Sequence, residues 1–225
     1  VAAPDEEASA VQHEGGEWDY VGLNDWTRYL LFVYVTFPGI VLHELSHYLG
    51  AKLAGLRVVK VGWYRVERTR RGAIAHGFVR HELPRPGTAH GFNLLFVALL
   101  PAFLPNLVGV WLLVETLRFG GPGASFAYAD PLALFLAFWV GFSAVVHGIP
   151  SRQDFRIAGV GLARLRAELG RARGEGKLLR LAEYLAGAGI YAVLSVQQLF
   201  NGFGGGFVWF LLVWWATLTF GPGLL

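Results

Sequence analysis

Apolar runs of membrane-crossing length recur along most of the chain, and no other feature limits its fold so strongly. In the 225-residue sequence they fall near 29–53, 91–117, 131–149, 181–200 and 206–220. A helix needs about 17 to 25 largely apolar residues to cross a bilayer. Hydrophobic residues make up 54% of the chain and charged residues only 16%, against about 25% charged in a soluble domain. The expectation is an all-α polytopic membrane protein with about five transmembrane helices, none of them placed like a removable signal peptide.

Charge distribution orients these spans. All but three of the 19 Lys and Arg residues lie in two loops, Arg57 to Arg85 and Arg152 to Arg180. Basic loops stay cytoplasmic, whereas "FGGPGASFAYAD" (119–130) and "NGFGGG" (201–206) carry no basic residue and the N-terminal segment is acidic. Five spans in a cell membrane, N-terminus outside and C-terminus cytoplasmic, satisfy every loop at once. The net charge of +3 is therefore topological, and no nucleic-acid module accompanies it. The absence of cysteine removes disulfides, thiolate metal sites and cysteine nucleophiles from consideration.

Four regions follow. Residues 1–28 form an acidic extracytoplasmic segment, with Trp18, Tyr20 and Trp26 suited to the lipid boundary. Residues 29–155 hold a three-span core. Within it, "RVVKVGWYRVE" and "AIAHGFVRHE" alternate apolar and polar residues around "RTRRG", which predicts a small cytoplasmic β-hairpin over 57–82. Residues 156–180 read as an amphipathic helix on the inner leaflet, its apolar side drawn from Phe155, Leu162, Leu165 and Leu169. Residues 181–225 supply the C-terminal spans.

Against this apolar background, "HELSH" in the first span stands out. His43 and His47, four residues apart, project from one helix face about 6 Å apart along the axis, so both imidazoles can reach one ion. Zinc accepts neutral histidine nitrogens at about 2.0 to 2.1 Å, and a catalytic site keeps a position for water. Glu44 lies beside the first ligand and suits a general base acting on that water. Ionisable groups at membrane depth are expensive enough to be functional by default. The competing reading makes His43 and His47 core histidines bonded to neighbouring helices.

A third ligand is required. Asp154 in "HGIPSRQDF" returns to the same membrane face, and Pro150 opens the chain ahead of it. His147 is its rival, or else supports the ligands from behind. Asn106, beside Pro101 and Pro105 in "LLPAFLPNLVG", either donates to a developing oxyanion or bonds across helices. Asp130 reads as a helix cap, and Glu115 sits at the far end of the second span.

These residues resemble the site-2 protease family of intramembrane zinc metalloproteases over roughly residues 37 to 155. "HELSHYLGAKLAGLRV" is similar to the family's first motif, in which HExxH runs on to a Gly-containing turn and a Val-rich strand. The family's later motif has Asn, Pro and a metal-binding Asp followed by Gly. Here His147 stands at the Asn position, Pro150 is kept, Asp154 is the corresponding ligand, and Phe155 replaces Gly. The resemblance implies a three-helix metalloprotease core that binds Zn2+ through His43, His47 and Asp154 and cleaves a transmembrane protein substrate within the lipid bilayer. Two further expectations stand beside it. One is a membrane zinc peptidase acting on lipidated or soluble tails, with Glu183 completing the site; the other is a non-catalytic scaffold that retains zinc.

Overall fold

The computed structural model describes residues 34–69, 72–82, 91–120, 130–174, 176–199 and 205–220. The acidic segment 1–28 lies outside these residues, as do most of the 119–130 and 201–206 connections.

Helix α1 spans Phe37–Leu53, with Pro38 in its first turn where a missing N–H is harmless. It ends where Gly55 takes a positive φ of 71°, and Leu56 N–H bonds back to the Ala51 carbonyl at 2.8 Å. This left-handed glycine cap reverses the chain. Strands β1 (Val58–Thr69) and β2 (Gly72–His81) follow as an antiparallel hairpin with Val61 opposite Val79 and Thr69 opposite Gly72. The predicted hairpin and its limits are therefore present. A two-stranded sheet is marginal alone, and this one folds back along α1. Tyr48 and Trp63 rings meet at 5.7 Å and Phe37 and Tyr64 at 6.0 Å, while buried Gly77, Val79 and His81 share the pleat face.

Helix α2 (Gly91–Gly120) is the hub, packing on α1 and on the later helices α3 (Pro131–Val146), α4 (Arg152–Arg171), α5 (Gly176–Gln198) and α6 (Gly205–Phe220). Small residues make this possible. A Cβ at Gly109 would lie 2.9 Å from the Gly141 carbonyl oxygen of α3, and one at Gly91 would lie 2.4 Å from the Gly161 carbonyl oxygen of α4. Helices lacking side chains at their crossing approach backbone to backbone, the packing favoured in lipid.

Two described helices, Gly91–Phe119 and Gly176–Gln198, are long and apolar enough to cross a membrane, fewer than the five expected from apolar runs. The third run does not stay helical to 149, because α3 stops at Val146, and its 16 residues are matched by 16 in α6. The helix read as 156–180 begins earlier, at Arg152, so the boundary at 155 falls inside it. Its buried stripe shares Leu165 with the expected one and otherwise differs from it. Asp154, Ile157, Ala158, Gly161 and Leu165 are buried, with Leu94, Leu95 and Leu194 in the same core, so α4 is a packed element of the bundle. Phe155 instead stacks on Tyr191 of α5 at 4.6 Å. Small residues carry little apolar signal, which is why the packed face was not the one with the most leucines.

Candidate metal centre

The helical spacing of His43 and His47 brings their rings to 5.1 Å between centroids, both buried. Asp154 meets them from α4, with Oδ2 3.5 Å from His43 Nε2 and Oδ1 3.0 Å from His47 Nε2. One ligand atom from each of the three lies within 4.8 Å of the others. Donors held around a tetrahedral ion at about 2.0 to 2.1 Å are about 3.4 Å apart, so the observed spacings suit a small divalent cation. Two imidazole nitrogens and a carboxylate oxygen, with no thiolate, form a donor set that zinc accepts and that other first-row divalent metals also take.

Asp154 reaches this point because the chain breaks after α3. His147 caps α3, residues 148–151 are not helical, and Pro150 cannot continue a helix hydrogen bond. Ser151 then starts α4 with a reciprocal cap. Its Oγ accepts the Asp154 N–H at 3.1 Å, and its own N–H donates to Asp154 Oδ2 at 2.7 Å. The cap fixes the carboxylate that faces the histidines. Burial alone would raise the Asp154 pKa, but the charge of His47 and hydrogen bonds from both histidines hold it well below the usual range.

A buried break leaves carbonyls to be satisfied. His147 O lies 2.9 Å from His43 Nδ1, which must carry the proton to donate to it. Gly148 O accepts from Asn106 Nδ2 at 2.7 Å, and Pro150 O accepts from Gln198 Nε2 at 2.6 Å. Side chains from α1, α2 and α5 thus hold one irregular segment. The first of these bonds also turns His43 Nε2 toward Asp154, the orientation a metal-bound histidine usually takes from such a partner.

Glu44 is buried next to the histidines, on the side covered by the hairpin. A Cβ at Gly77 of β2 would fall 2.1 Å from Glu44 Cγ, so only glycine permits this contact. Two pleats further along the same strand face is His81, also buried. Burial lowers its pKa, the Glu82 backbone opposes that shift, and nearby His47 adds to it.

The structure therefore brings together His43, His47 and Asp154, with Glu44 alongside. His147 serves the site through its backbone oxygen; its imidazole Nε2 hydrogen-bonds Thr36 Oγ1 at 2.9 Å, and it is not among the converging ligands. The rival reading of His147 as third ligand gives way for that reason. Asn106 takes the interhelical alternative. Both amide protons go to carbonyls, Ala102 at 2.6 Å and Gly148, and Oδ1 accepts from Trp209 Nε1 at 2.9 Å. Glu183 pairs with Arg180 at 2.7 Å, away from the ligand cluster, and Glu115 with Arg118 at 3.9 Å. Asp130 caps α3, accepting the Leu132 N–H at 3.0 Å.

Sequence reasoning missed Gln198, Ser151 and His81. Gln198 closes an apolar helix beside Gln197, and a polar pair at such an end resembles an ordinary interfacial terminus. For His81 a signal existed: it follows Gly77 and Val79 at period two, so burial of one face includes it. No protein-family model, curated protein or solved structure matches this chain.

Proposed function

We propose that this protein is an intramembrane zinc endopeptidase that hydrolyses peptide bonds in or near transmembrane segments of membrane proteins. The observation that carries the reading is the convergence of His43, His47 and Asp154 with Glu44 buried beside them. These three residues would hold the ion. Zinc, when bound, lowers the pKa of water toward about 7 and polarises a carbonyl. Glu44 takes the proton of the attacking water and returns it to the leaving amine, the exchange a general base in this position performs. The hairpin excludes bulk water from Glu44 through the Gly77 contact.

A membrane substrate suits the surroundings. Five spans, with the two basic loops cytoplasmic, remain the topology that the charge distribution favours. A helical substrate bond is shielded until the helix unwinds, and an outer edge of the β1–β2 hairpin offers backbone groups to an unwound segment beside the site. Cross-linking from the hairpin should capture substrate; its consistent failure would remove the holding role.

Zinc content and peptidase activity of the purified protein test the proposal. E44Q is expected to keep zinc and lose turnover, while H47A and D154A lose zinc. Turnover surviving in E44Q would end the hydrolase reading. A soluble truncated substrate cleaved faster than a membrane-embedded one would replace it with a peptidase acting on tails.

A further inference from the structure

Ser143 stands in the last turn of α3, where it is 0% exposed among Gly141, Ala144, Val145 and Val146. A serine inside a helix commonly returns its hydroxyl to the carbonyl one turn back. Ser46 does so to Leu42 O at 2.7 Å, and Ser195 to Tyr191 O at 2.7 Å. The Ser143 hydroxyl instead crosses to the start of α1, donating to the Thr36 carbonyl at 2.6 Å and accepting the Gly39 N–H at 2.6 Å.

The start of α1 is shaped to receive it. The first N–H groups of a helix lack partners within it, and the N-cap residue Thr36 offers them no side-chain bond. Its hydroxyl meets His147 Nε2 at 2.9 Å. Ser143 thus supplies from a second helix an acceptor that the local cap does not. Gly39 makes the approach possible, because a Cβ there would fall 2.0 Å from the Ser143 carbonyl oxygen and 2.8 Å from His147 Cδ2.

This contact is the middle rung of three. Trp139 Nε1 donates to the Val35 carbonyl, the Gly39 N–H donates to Ser143 Oγ, and His43 Nδ1 meets the His147 carbonyl at 2.9 Å. Each pair is 104 residues apart, so the two segments advance together by four residues per step. The last rung holds a candidate metal ligand. Sliding one helix by a single residue shifts its side chains by about 1.5 Å and turns them by about 100°, which would take His43 off the His147 oxygen. Apolar surfaces set no such register, whereas a hydroxyl bonded to two backbone groups does.

We propose that Ser143 is a positioning residue of the metal centre: by bridging the Thr36 carbonyl and the Gly39 N–H it fixes the register of α1 on α3 that brings His43 Nδ1 to the His147 carbonyl. The inference rests on the zinc-site reading above for the role of His43 as a ligand. A hydrogen bond to the far nitrogen of a ligating histidine sets its tautomer and ring orientation, and losing it weakens metal binding by about 10–100-fold.

The test uses the full-length protein and Zn2+ alone, in competition with a chelator. S143A should weaken zinc binding by about 10-fold, the lower end of that range, since the His43 bond is displaced rather than deleted. G39A, which disturbs the same contact from the α1 side, should weaken it as well. S195A removes a hydroxyl bonded within α5 and should leave affinity unchanged. Unchanged affinity in S143A would overturn the inference, as would equal weakening by S143A and S195A. A second readout needs no metal: with 15N-labelled histidine, the His43 Nδ1 proton should resonate downfield in the wild type and move upfield in folded S143A. Absence of that downfield proton from the wild type would overturn the inference without any variant, and a proton unmoved in S143A would do the same. A wild type that binds no zinc, yet shows a downfield proton that S143A shifts, would sink the zinc-site reading and leave the register role of Ser143 standing.

Discussion

Gln198 donates to two carbonyls of the break ahead of α4, Pro150 at 2.6 Å and Ser151 at 3.3 Å, from 48 and 47 residues away. Leucine at this position would fill similar space and leave the Pro150 oxygen without its donor, a loss of about 1–3 kcal/mol for a buried acceptor. Q198L should therefore unfold at lower temperature and bind zinc more weakly, because the same break carries the Asp154 cap; thermal unfolding with and without zinc reads both effects. Unchanged midpoints would show that the segment holds itself. Asn106 provides a contrast at the same scale. Its amide ties α2 to the break and to Trp209, so N106A should lower stability while the folded fraction keeps its turnover rate. A hundredfold fall in kcat at full stability would restore the oxyanion role. The difference between these residues and the ligands explains what could be read in advance. His43 and His47 are one helical turn apart, and local geometry alone pairs them. Asp154 was accessible through Pro150, a break visible in the sequence. Gln198 had no such marker, since its role depends on which carbonyl the tertiary fold leaves open.

The hairpin is the element that packs directly on Glu44. Its strands were legible from alternation, a local signal, although they run further into "RTRRG" than the alternation suggested, to Thr69 and from Gly72. Which side faces α1 was not legible, since the strand carries apolar residues on both sides and a glycine marks the closest contact. Gly77 makes a sharp prediction. G77A adds a methyl group where Glu44 Cγ would be 2.1 Å away, so either the strand or the carboxylate must shift. Displacing a catalytic group by about 1 Å can reduce rate by about 10²-fold. G77A should thus lose most of its kcat while retaining stoichiometric zinc, as measured by metal analysis alongside peptide cleavage. Full activity would mean that the hairpin moves away from Glu44 at little cost, and that its cover is looser than the contact suggests. Helix α4 shows the opposite limit of pattern reading. Its leucines suggested one face, and of these Leu165 is buried, but the crossing of Gly91 and Gly161 shifts the rest of the core stripe to smaller residues.

At the level of the whole molecule, apolar runs and helix lengths differ in a way that bears on topology. Helices α3 and α6 have 16 residues each, about 24 Å at 1.5 Å per residue, whereas a bilayer core is about 30 Å thick. Their outward side chains are nevertheless apolar: Leu132 and Phe135 on α3 and Trp215 and Leu218 on α6 are exposed. Such surfaces favour lipid over water. Short lipid-facing helices are accommodated by local thinning of the bilayer or by extension at their ends, each at modest cost. The proposed five-span arrangement makes a definite prediction about sidedness. The chain contains no cysteine, so single cysteines can be introduced without a background to remove. With N-terminus outside, S9C and S125C should react with a membrane-impermeant maleimide in intact cells, and R70C and R166C only after permeabilisation. S125C reacting only after permeabilisation would take α2 or α3 out of the membrane. In that event the two basic loops would no longer share a face, and the charge argument that orients the metal centre toward the cytoplasm would fail with them.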